Sequence, residues 1–177
     1  MQETSTLHAG RAANTARTVE AVRRIVRGLR VAAGRTLAET GISAAQLFVL
    51  SSLADGAAPS LTELGGRTHT DRSSVADVVE RLAAAGLVER ARSDRDRRRL
   101  EVRITPAGRS LLARAPRPPT ALLLDGLAGL GDEELDTLAA GLLRLAQEMG
   151  LDAAPAPMLF EDEEGPMPGA RERTGDG

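Results

Sequence analysis

The stretch 88-VERARSDRDRRRLEVRITPAG-108 decides the fold. It opens with a short apolar–polar alternation and passes through a charged run. It then alternates again, with Leu100, Val102 and Ile104 on one face and Glu101 and Arg103 on the other. Period-two alternation on both sides of a turn predicts a β-hairpin, ended here by Thr105-Pro106. The tip, residues 93–99, sets Arg95, Arg97, Arg98 and Arg99 against Asp94 and Asp96. A tip made mostly of guanidinium calls for an anionic partner, and a long one if several arginines engage together.

Upstream of the hairpin the sequence predicts two short helices. Ser60-Leu61-Thr62-Glu63 is a capping box that opens the first, with Gly65-Gly66 expected to close it. The second starts near Thr70, the expected N-cap, with Asp71 in the first turn. Its predicted buried stripe is Val75, Val78, Val79 and Leu82, and Gly86 stands where a C-terminal glycine belongs. Two helices joined by a few residues and followed by a basic hairpin make a helix-turn-helix with a wing. The second helix fits a DNA major groove, and the basic hairpin suits the neighbouring minor groove.

Further out, apolar residues from Val19 to Leu37 recur at three- and four-residue steps, which predicts a long amphipathic helix from about Thr15. Arg23, Arg24 and Arg27 lie off its apolar side, either as a solvated face or as partners for a ligand carboxylate. Another capping box, Ser43 with Gln46, starts the next helix, and Ile42 and Leu47 form a hydrophobic staple. Downstream, a helix through Leu111 and Leu112 meets Pro116-Arg117-Pro118-Pro119, which must bend or break it, or serve as a hinge. A leucine-rich helical pattern resumes at Leu122. A last helix, with Asp132 as its expected cap, places Leu135, Leu138, Leu142, Leu145 and Met149 on one face.

The fold class expected is therefore mainly α with a small β-hairpin wing. Its parts are a flexible N-terminus (1–14), an N-terminal dimerisation helix (15–42), a winged helix-turn-helix domain (43–108), C-terminal dimerisation helices (109–150) and an acidic, disordered tail (151–177).

Composition narrows the function. The chain has no cysteine and two histidines, so disulfides, thiolate metal sites and cysteine redox sensing are excluded and structural zinc is not expected. No nucleophile–base pair, metal constellation or phosphate loop is legible, so neither an enzyme nor a cofactor is expected. With no run of 18 apolar residues and no signal-peptide pattern, a cytoplasmic protein without membrane contact is expected. Net charge is −2, but its distribution is uneven. Residues 1–35 carry seven arginines against Glu3 and Glu20, and residues 90–103 carry seven against Asp94, Asp96 and Glu101. Local field rather than total charge governs binding to a polyanion. Phe48 and Phe160 are the only aromatics, so stacking on single-stranded nucleic acid is not expected.

The order of elements, with Ala84-Ala85-Gly86-Leu87-Val88-Glu89-Arg90 and Asp96-Arg97-Arg98 followed by Val102-Arg103-Ile104-Thr105-Pro106-Ala107-Gly108, resembles the MarR family of bacterial transcription regulators over residues 17–150. The resemblance implies a homodimer with interlocked terminal helices, bound to a pseudo-palindromic double-stranded DNA site. It also implies a repressor responsive to a small, lipophilic or phenolic effector.

Carried over residue by residue, the recognition helix is about 70–84. Ser73 and Ser74 match DNA-facing positions of the family, and Thr70 and Arg72 beside them are expected to face DNA as well. Asp77, where many members have arginine, either repels phosphate or accepts from cytosine N4. In the wing, residues 90–103, Asp96 and Arg98 match the family's acid and minor-groove arginine, and Arg95, Arg97, Arg98 and Arg99 together are expected to grip phosphate and minor groove. Asp96 either orients a neighbouring guanidinium or simply forms the turn. Asp77 and the acidic tail motivate an alternative: a protein-interaction or ligand-sequestering dimer of the same fold that binds DNA weakly.

Overall fold

The computed structural model describes residues 2–92, 100–151 and 156–161. Its elements in order are α1 (Gln2–Thr40), α2 (Ala44–Ser51), α3 (Leu61–Thr68), α4 (Arg72–Ala84), β1 (Val88–Arg92), β2 (Leu100–Ile104), α5 (Pro106–Leu112), α6 (Pro119–Ala128) and α7 (Asp132–Glu148). The mainly helical class with one antiparallel hairpin is as expected.

α2 is the centre of the winged domain. Ser43 accepts from the Gln46 amide while the Gln46 side chain accepts from the Ser43 amide, so both ends of the capping box are closed. Apolar residues on nearly all sides let the short helix bury Leu47, Phe48, Val49 and Leu50 together. Leu64 of α3, Val75, Val78, Val79 and Leu82 of α4, and Val88, Val102 and Ile104 of the hairpin complete one continuous core. β1 and β2 pair with Val88 opposite Ile104 and Arg92 opposite Leu100. The Val102 amide donates to the Pro59 carbonyl at 2.9 Å, which ties the hairpin to the entry of α3.

Several expected boundaries change. α1 begins at Gln2, not near Thr15, because residues 2–14 contain no proline and Thr15 does not cap. The Thr15 hydroxyl instead donates back to the Arg11 carbonyl inside the helix. α3 does not close at Gly65-Gly66 but runs to Thr68, where His69 takes the left-handed conformation (φ 53°) as its C-cap. The N-cap of α7 is Gly131, whose amide donates to Glu134 Oε2, rather than Asp132. The chain breaks between α5 and α6 over residues 113–118, and Pro119 opens α6. Among the described residues, no helix is long and apolar enough to cross a membrane.

The tail also departs from its expected disorder, at residues 156–161. Met158 is buried within the core cluster, and the Glu161 side chain accepts from the Met158 amide at 2.9 Å. Arg81 of α4 donates to the Glu161 carbonyl at 2.6 Å and lies 3.9 Å from its carboxylate. Two contacts seat this turn: the Met158 side chain in the core and Arg81 of α4 on Glu161. Met158→Ala is therefore expected to cost about 2–5 kcal/mol, the range for truncating a buried methionine. Chemical denaturation checks it, and a loss under about 0.5 kcal/mol, as at a surface position, counts against a seated turn.

Candidate nucleic-acid interface

α4 turns one face inward and the other out. Val75, Val78, Val79 and Leu82 are buried, while Arg72, Ser73, Asp77 and Glu80 are exposed and Ser74 is half-buried. Its approach to α3 is set by the turn between them. The Thr70 amide donates to the Gly65 carbonyl, and a Cβ on Gly65 would stand 2.8 Å from the Thr70 carbonyl oxygen. Gly65 is thus a packing glycine and not a helix stop. Arg67 fixes α3 from the other side, donating to the Ser52 carbonyl at 2.8 Å and to Asp55 at 3.0 Å.

The N-cap of α4 is Asp71, not Thr70. Its Oδ1 accepts from the amides of Ser73 (2.8 Å) and Ser74 (3.1 Å). The same carboxylate takes both serine hydroxyls, Ser73 on Oδ1 at 2.5 Å and Ser74 on Oδ2 at 2.8 Å. The Ser73 hydroxyl, followed by the Ser74 amide and hydroxyl, holds the Asp71 carboxyl well below the usual carboxylate range. The sequence alone favours Thr70, which also satisfies the cap rule. The better signal is an aspartate followed by serines two and three residues on, all of whose donors one carboxylate can collect.

The string Ile104-Thr105-Pro106-Ala107-Gly108 fixes the wing's base. Thr105 caps α5, accepting from the Gly108 amide, while its hydroxyl reaches the Gly86 carbonyl at 2.8 Å. Pro106 fills the first helical position, where its missing N–H costs nothing. A Cβ on Gly108 would run into the Leu87 carbonyl and come within 2.9 Å of Ile104 Cγ1. The turn after α4, the outgoing strand and the start of α5 are thereby stapled at one point.

The structure brings Thr70, Arg72, Ser73, Ser74 and Asp77 together at the start of α4. Arg90 and Arg92 are exposed on β1, and Arg103 pairs with Glu101 at 3.1 Å. Arg95, Asp96, Arg97, Arg98 and Arg99, and the acidic residues beyond Glu161, lie outside the described residues. Of the α1 arginines, Arg24 pairs with Glu20 at 2.7 Å on the surface.

A model described as the MarR family matches residues 40–99. A Thauera aromatica protein named as a transcriptional regulator for the hcr operon is 34% identical over 115 residues, 64% of this chain and 69% of that one. The transcriptional repressor MdtR of Bacillus subtilis is 27% identical over 117 residues, 66% of this chain and 76% of that one. Among solved structures, the transcriptional regulator BldR of Sulfolobus solfataricus is similar at a TM-score of 0.51 and 25% identity, covering 76% of this chain and 96% of that one.

Proposed function

Because the chain belongs to the MarR family of winged helix-turn-helix transcriptional regulators, we propose that it is a homodimeric, sequence-specific repressor of a pseudo-palindromic operator. The observation that carries this is the outward face of α4. It is polar, while its back is locked into the core with the base of an arginine-rich wing beside it. Arg72, Ser73, Ser74 and Asp77 enter the major groove, and Arg95, Arg97, Arg98 and Arg99 hold phosphate and minor groove, with Asp96 orienting one of them. α7 supports the dimer. It buries none of its residues, yet it carries Leu138, Leu142 and Leu145 exposed along one side, with Met149 exposed at its C-cap. Such a stripe in water is an interface waiting for its copy. From the family resemblance, a small lipophilic or phenolic effector is proposed to modulate binding.

A nuclease footprint tests the proposal: two protected half-sites roughly one helical turn apart are expected, and protection of a single half-site contradicts the dimer. Arg98→Ala is expected to cost about 1–3 kcal/mol of DNA binding, the range for a specific arginine contact, and an unchanged dissociation constant refutes its role.

The second proposal, a weak DNA binder held back by its acidic tail, draws on the seating of Glu161 against Arg81 of α4. Because Met158 belongs to the core, the discriminating variant stops after Glu161 and does not remove the whole tail. Unchanged DNA affinity at low salt would dismiss tail inhibition.

A further inference from the structure

We propose that the front of α4 is a hydrogen-bond acceptor surface, so that it selects base edges carrying an exocyclic amino group, adenine N6 or cytosine N4, over guanine and thymine. The inference rests on the proposed entry of α4 into the major groove and says what it recognises there.

A serine or threonine hydroxyl has one proton and two lone pairs. At the start of α4 all three hydroxyl protons are already committed. Ser73 and Ser74 donate to the two oxygens of Asp71, and Thr70 donates to the Thr68 carbonyl at 3.0 Å. An ionised carboxylate can only accept, so the direction of the two serine bonds is settled by chemistry. The same carboxylate caps the helix through two backbone amides, so it cannot turn away without uncapping α4. What these hydroxyls offer outward is lone pairs. Asp77, four residues after Ser73 and exposed on the same face, offers only lone pairs as well. Arg72 is the one long donor in that stretch.

In the major groove, donors come only from adenine N6 and cytosine N4. Guanine presents N7 and O6, and thymine presents O4, all acceptors. A phosphate is likewise an acceptor. The serines are therefore unsuited to holding the backbone and suited to reading a base. Guanine is left to Arg72, which can span N7 and O6. Asp77, which looks adverse to DNA as an isolated carboxylate, becomes one of the reading groups.

The test uses the full chain. Duplexes are first selected from a random library, and the half-site positions under α4 are then altered by base analogues. Purine in place of adenine, or 2-pyrimidinone in place of cytosine, removes the amino group; 7-deazapurines remove the N7 acceptor. Wild-type binding is expected to weaken roughly 5-fold or more at an amino-group deletion, the lower end for a good base contact. That loss should largely vanish in a Ser73→Ala, Ser74→Ala chain shown by circular dichroism to be folded, because the partner is then gone. Asp77→Asn, on an exposed position, adds an amide donor and is expected to admit guanine or thymine at the position it faces. The inference is overturned if the serine variant instead cancels the cost of a 7-deaza substitution, or if Asp77→Asn leaves the selected sequence unchanged. Failure to enrich any duplex would overturn the DNA-binding proposal itself, and this inference with it.

Discussion

Gly108→Ala is expected to destabilise the chain by about 3 kcal/mol or more, beyond the usual cost of overpacking because a backbone carbonyl cannot move aside as a side chain can. The added methyl meets the Leu87 carbonyl, which itself accepts the Thr105 amide at 3.1 Å. Relieving the collision means parting the turn after α4 from the start of α5, which breaks the Thr105 contacts to Gly86 and Leu87 together. The φ of Gly108 is not the constraint; the lack of space is. Thermal unfolding followed by circular dichroism should show a Tm lowered on the order of 10 °C. A Tm within about 3 °C of the parent contradicts the packing role. Gly86→Ala provides the contrast, since its positive φ (71°) is strained but nothing lies within 4 Å of the added carbon.

The second large effect belongs to α7. Leu138→Asp combined with Leu142→Asp is expected to give a monomer. Burying a leucine is worth about 1.5–3 kcal/mol, and in a two-fold interface each position counts twice. The substitutions also place four carboxylates where apolar surface should be. Loss of the second lobe should lower affinity for a two-half-site duplex on the order of 10²–10⁴-fold, the scale of the advantage lost when two linked contacts become one. Sedimentation velocity and DNA binding should change together. A dimer that survives both aspartates places the interface elsewhere.

Local chemistry was the legible part of this chain. The capping boxes at Ser43/Gln46 and Ser60/Glu63, the C-terminal glycine at Gly86 and the valine stripe of α4 each follow from residues a few positions apart. The sequence misleads where the cause acts through space. Gly65 reads as a helix stop along the sequence but is small because the Thr70 carbonyl lies against it. Thr70 passes the cap rule, yet its hydroxyl goes to the Thr68 carbonyl. The turn at 158–161 was hidden because averaging over an acidic, proline-rich segment conceals one methionine that reaches the core. At the start of α4, the direction of the serine hydrogen bonds is not legible in the sequence, because it depends on Asp71 collecting both serine protons.

The most direct test of double-stranded DNA binding through α4 and an arginine wing is a salt titration of affinity. The full chain is titrated into a labelled duplex from its own upstream region and into an unrelated duplex, from about 50 to about 200 mM salt. The upstream duplex should bind more tightly at every salt concentration. For 6–10 phosphate contacts, its affinity should fall on the order of 10³-fold or more across the range. Absence of any salt-sensitive complex at micromolar protein, or equal affinity for both duplexes throughout, would contradict it.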